Sequence, residues 1–183
     1  MHYPTDINLL FDAMRKVVTL TARRCDRQGV SDWRQHAYNV RHMKRLMRAA
    51  QSKKRSKAKS EEQQTKRQAS IEEAHQAYLD VAQRYLDKAR VTLAGLEQRG
   101  SASEIDIALK LEIEVYMKHA IRQIDQTTRR VILGEVIPHA EKVFSIFEPH
   151  TEWVSKERPG FPSNWASRSA YWKTPISSSC TIR

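Results

Sequence analysis

IEEAHQAYLDVAQRYLDKARVTLAGLEQRGSASEIDIALKLEIEVYMKHAIRQIDQTTRRVILG, residues 71 to 134, decides the fold. Ile71, Ala74, Tyr78, Val81, Tyr85, Ala89, Leu93 and Leu96 recur at three- and four-residue spacing, which gathers them on one face of a helix. Gly100 stops that helix, and Ser103 with Glu104 starts another. The second carries Ile105, Leu109, Ile113, Met117, Ala120, Ile121 and Ile124 and runs to about Leu133, with Gly134 as its C-terminal signal. A short connection and mixed outward charges predict an antiparallel helical hairpin.

Upstream, the same period predicts two more helices. After the turn His2-Tyr3-Pro4, Thr5 or Asp6 can accept the free amide protons of a first turn. Ile7, Leu10, Phe11, Met14, Val17 and Val18 then form an apolar face, and Gly29 ends the helix. Ser31 opens the next, with Trp33, Ala37, Val40, Met43 and Met47 as its buried stripe and Arg34, Arg41, Lys44, Arg45 and Arg48 opposite. From Gln51 to Gln68 no residue can anchor a core, so about 51–68 is an exposed linker or the solvated part of a long helix.

Past Gly134 the period changes. Pro138 disfavours helix before it, Val143, Phe144, Ile146 and Phe147 are strand-type residues, and Thr151 to Ser155 reads as a further strand. After Pro162 the texture changes again: SNWASRSAYWKTPISSSCTIR (Ser163 to Arg183) has neither period, yet contains two tryptophans. Restoring one lost base after the Pro162 codon, with only wobble positions free, decodes this tail as VELGLKVCILEDPDQFILHH, two apolar runs around an acidic turn. The expectation is therefore an out-of-frame tail over 163–183, set against a genuine disordered terminus.

Composition narrows the function classes. Net charge is +11, and residues 1 to 68 hold 17 Lys/Arg against 6 Asp/Glu, so the whole excess lies there. An excess of one sign in one region points to a polyanion, most often nucleic acid; the plainer alternative is a solvated helical face followed by a lysine-rich loop. The electrostatic DNA candidates are Arg23, Arg24, Arg27, Arg34, Arg41, Lys44, Arg45, Arg48, Lys53, Lys54 and Arg55. Cys25 and Cys180 are isolated and build neither a disulfide framework nor a zinc site. No leader-like or membrane-spanning run occurs, which leads us to expect a cytoplasmic protein. Phosphate loops and nucleophile elbows are missing from the helical part. The densest polar cluster, His139, Glu141, Glu148, His150 and Glu152, suits either a divalent ion or the solvent edge of a strand.

Several blocks point to a family. HYPTDINLLFDAMRK (His2 to Lys16), SDWRQHAYN (Ser31 to Asn39), IRQIDQTTRRVILGEVIPHAEKVFSIFEPHTEWVSK (Ile121 to Lys156) and the decoded tail resemble DDE insertion-sequence transposases of the ISNCY type. The resemblance covers residues 2 to 162. It implies a ribonuclease H-like catalytic domain interrupted by a helical segment, with three carboxylates holding two divalent ions (magnesium) for in-line attack on DNA phosphodiesters. The first of those carboxylates would precede the HYPTD block and the other two would follow the decoded hairpin. No catalytic or metal residue is therefore expected in this chain, and Asp6 is expected to cap a helix.

The expected fold is thus mostly α. A basic helical insertion region (1–134) leads into the first strands of an incomplete ribonuclease H-like α/β domain (135–162), followed by the tail. The expected function is that of a transposase fragment that still contacts DNA. The alternatives are an interaction protein that pairs with intact transposase, or with itself, and inhibits assembly, and a stand-alone basic helical DNA-binding protein with a real tail.

Overall fold

The computed structural model describes residues 5–55, 60–100, 103–138, 141–143, 145–147, 151–154 and 164–167, the last two segments and residue 55 by their backbone only. Four helices dominate: α1 (Asp6–Arg27), α2 (His36–Arg55), α3 (Glu61–Gln98) and α4 (Glu104–Val131). They alternate in direction. Asn8 meets Gln51, Trp33 meets Thr92, Lys110 meets Glu97, and Asp6 meets Arg130. α1 and α3 touch each other in the middle of the bundle, α2 and α4 pack on both, and α2 and α4 do not touch.

The local signals explain the boundaries. Ser60 caps α3 by accepting from the Gln63 amide at 3.3 Å. Ser103 and Asp106 form a reciprocal capping box at the start of α4, which satisfies two otherwise free amides. Gly29, Gly100 and Gly134 follow the ends of α1, α3 and α4 at φ of +68°, +71° and +69°, the left-handed conformation that a side chain resists.

The core is one continuous cluster drawn from all four helices, including Leu10, Met14, Val17, Met43, Met47, Tyr78, Leu86 and Ile113. Buried polar groups fix its register. The Trp33 indole N–H donates to Thr92 Oγ1 at 3.0 Å, and the Tyr78 hydroxyl donates to the Ile7 carbonyl at 3.2 Å. Each bond ties together helices far apart in sequence, and losing a partner would leave a buried polar atom unpaired.

Several expectations need correction. Ser31 does not open α2; residues 32–35 are turns, and the helix starts at His36. Ala37 faces solvent, and Ala50 is buried in its place at the far end of the stripe. Thr5 is the N-cap residue of α1 by its backbone, but its hydroxyl caps nothing, and Asp6 instead pairs with Arg130 at 2.8 Å. Of the proposed linker, 51–55 belong to α2 and 61–68 to α3, so the solvated-helix alternative describes them.

The largest difference lies after Gly134. Val143 and residues 145–147 form no strand. Ile137 and Ile146 are buried and Val143 packs on the core, so apolar residues that read as strand-formers serve as pegs into the helical bundle. Phe147 meets Tyr116 edge-on, with ring centroids 6.2 Å apart. Arg129 holds the segment down, binding Glu135 and Glu141 at 2.8 Å each, and these carboxylates push its guanidinium pKa further up. Strand pairing appears only beyond this point. β1 (Thr151–Val154) runs antiparallel to β2 (Asn164–Ser167), with Trp153 opposite Trp165. β2 lies in the tail in which no strand was expected; the pairing comes from a partner segment rather than from any period of its own.

Candidate nucleic-acid interface

α2 is a 20-residue helix with seven Lys/Arg and no Asp/Glu. Each residue turns the helix by about 100°. Met43, Met47 and Ala50 therefore share the inner arc, while Arg41, Lys44, Arg45 and Arg48 share an arc of roughly 100° on the other side. Those four side chains are exposed, as is Arg34 in the turn that leads into the helix. None of the five makes an ion pair among the described residues. Tyr38, 53% exposed, sits in the same line between Arg34 and Arg41 and stacks on His42 at 6.1 Å between ring centroids.

The scaffold beneath this face is rigid. Trp33 is fully buried at the base of α2, and the Lys88 ammonium lies 4.8 Å from its ring centroid while donating to the Asp32 carbonyl at 2.9 Å. At the other end, Arg67 of α3 donates to the Lys54 carbonyl at 2.9 Å. That carbonyl belongs to the last turn of α2, whose acceptors have no intrahelical partner, so Arg67 closes the helix end. A shallow groove of about 210 Å³ separates α2 from α1, with Lys44 and Arg48 on one side and Asp12 on the other. Asp12 marks the edge of the cationic surface.

The other sequence candidates divide. Arg23 is exposed on α1, but Arg24 is 2% exposed and so cannot meet DNA; its Nε and Nη1 have no partner among the described residues. Arg27 is committed to α4, with Nε 3.0 Å from Asp106 and Nη2 3.2 Å from the Ser103 hydroxyl. The Ser103 hydroxyl and then Arg27 hold the Asp106 carboxyl below the usual carboxylate range. Lys53 is exposed. Lys54 falls toward the inner arc but is exposed; partial burial and then Arg130 lower its pKa, against an opposing pull from Asp6. Arg55 is the last residue of α2.

The polar cluster near the chain's β region does not assemble within the described residues. The Glu141 carboxylate is taken by Arg129 and its carbonyl by Arg122, at 2.7 Å, and Gln126. His139, Glu148 and His150 lie outside the described residues. Among the described residues no group of three His, Cys, Asp or Glu could hold a metal ion. Cys25 is buried, and that burial, with Asp32 and Asp26 nearby, pushes its thiol up to about 11, so it stays protonated and unreactive near neutrality. No described helix is long and apolar enough to cross a membrane.

No family model matches the sequence, and no curated protein or solved structure matches it either.

Proposed function

We propose that the chain binds DNA through its phosphates, along the outer face of α2, as part of a DDE transposase. One observation carries the binding: five exposed cations, Arg34, Arg41, Lys44, Arg45 and Arg48, project from a helix and turn with no carboxylate neutralising them among the described residues. On a surface selected only for solubility, both signs are ordinarily interspersed. α1, α3 and α4 carry internal ion pairs, whereas α2 carries only cations along its whole length. The transposase origin rests on the sequence blocks, and a transposase must hold DNA while a separate site acts on it. Catalysis and its magnesium ions are attributed to the parent family rather than to this chain.

Contacts of this kind position a duplex without reading its bases, because phosphate carries no sequence information. Affinity is expected at roughly 10⁻⁴ to 10⁻⁶ M near physiological salt. The test is fluorescence anisotropy with a duplex of random sequence over a range of salt. Five phosphate contacts give a slope of log K against log salt of about −4.5. A slope near zero, or no binding at about 50 mM salt, contradicts the reading.

A further inference from the structure

Residues 105 to 115 alternate large apolar residues with smaller or charged ones: Ile105, Ile107, Leu109, Leu111, Ile113 and Val115 are separated by Asp106, Ala108, Lys110, Glu112 and Glu114. In a helix, two residues turn the chain by about 200°, so alternation splits the apolar set onto opposite sides. Leu109 and Ile113 are buried in the bundle at 5% and 0% exposure. Ile107, Leu111 and Val115 form the second stripe at 50%, 58% and 50%, and no described element covers it. A helix that is apolar on both sides is one that expects a second neighbour.

We infer that this stripe is a self-association surface, in which α4 pairs antiparallel with α4 of a second copy about a two-fold axis at Leu111. The charges at the ends of the stripe choose this occupant and this direction. With Leu111 on the axis, Ile107 faces Val115 of the second copy, and Glu104 faces Lys118. Glu104 and Lys118 are both exposed and neither takes part in an ion pair among the described residues. One set of positions therefore matches apolar to apolar and acid to base at both ends, as a two-fold interface requires. A parallel pairing would set Glu104 against Glu104 and Lys118 against Lys118. α4 and α2 lie on opposite sides of the bundle, so the pairing leaves both cationic faces open. It does not depend on DNA binding.

The contact is short. The 15 residues from Glu104 to Lys118 span about 22 Å of helix, and a strip about 10 Å wide along it covers on the order of 220 Å², well under the roughly 800 Å² per partner of a standard stable interface, so the equilibrium is weak. Sedimentation of the whole chain in reductant should show the mass rising from one chain toward two between about 10 µM and 1 mM. Leu111→Glu should stay at one chain, with unchanged helical circular dichroism. Glu104→Lys and Lys118→Glu should each raise the dissociation constant about tenfold, since each reverses two symmetric pairs, and the double exchange should restore it. A wild-type mass of one chain throughout, a larger species indifferent to Leu111→Glu, or a double exchange as weak as the single ones overturns the pairing.

Discussion

α2 and α4 occupy equivalent places on the two sides of the α1–α3 pair, yet their solvent faces differ in kind. The charges that α2 turns out are all cations, whereas α4 turns out the apolar stripe Ile107, Leu111 and Val115. Both helices already bury one face, so neither outward face is needed to hold the bundle. A surplus of charge with no ion-pair partner among the described residues calls for a polyanion, and a surplus of apolar surface calls for another apolar surface. On the proposed reading the two faces divide the labour: one for DNA, one for a second copy.

The comparison breaks most completely if α2 loses its anchor. Trp33→Ala removes a fully buried indole and its bond to Thr92, and should cost about 3–5 kcal/mol by chemical denaturation. DNA binding should fall with it, because the cations lose their platform. Loss of stability of under about 1 kcal/mol would mean that α2 does not depend on this contact.

A sharper comparison sets the α2 arginines against Arg24. A buried guanidinium with unpaired nitrogens is a desolvated charge, and an apolar replacement of similar length removes that penalty. Arg24→Met should leave stability unchanged or raise it by about 1 kcal/mol, while DNA affinity stays within about twofold. A tenfold loss of affinity would place Arg24 on the DNA surface after all.

The smallest effect concerns pH. His75 is buried beneath the end of α2, where its Nδ1–H donates to the Ile71 carbonyl at 2.7 Å. Burial lowers its pKa, the Ile71 bond partly offsets this, and Lys54 and Arg130 lower it further. The folded chain therefore takes up the proton less readily than the unfolded one. Stability contributed by neutral His75 is present above the unfolded value near 6.5 and is lost as pH falls below it. His75→Gln, which keeps a donor for Ile71, should flatten that decline between about pH 6.5 and 5. An unchanged slope would assign it to other groups, such as His119, whose pKa burial also lowers.

Much of this fold was legible because helical period, caps and glycine stops are local signals. The α3–α4 hairpin, the stops at Gly29, Gly100 and Gly134, and the outward set Arg34, Arg41, Lys44, Arg45 and Arg48 could all be read in order. What escaped depends on contacts distant in sequence. Arg24 and Arg27 resemble Arg23 in the chain, and only the packing of α4 against α1 buries one and pairs another. Val143 and Ile146 have strand propensity, but the bundle offers them a cleft, and burial outweighs a propensity that spans only about 1 kcal/mol. Tyr38 and the second stripe on α4 did leave a signal, at fixed helical spacing from residues already noted.

The central claim is that α2 meets DNA through its phosphates. Its most direct test is the salt dependence of duplex binding by the wild-type chain beside Arg41→Gln/Arg45→Gln/Arg48→Gln. These side chains are exposed and make no ion pair among the described residues, so the fold should be untouched. The account predicts that the slope of log K against log salt becomes shallower by about 2.7 when three contacts are removed. A slope identical to the wild type, with the triple variant folded, would contradict it.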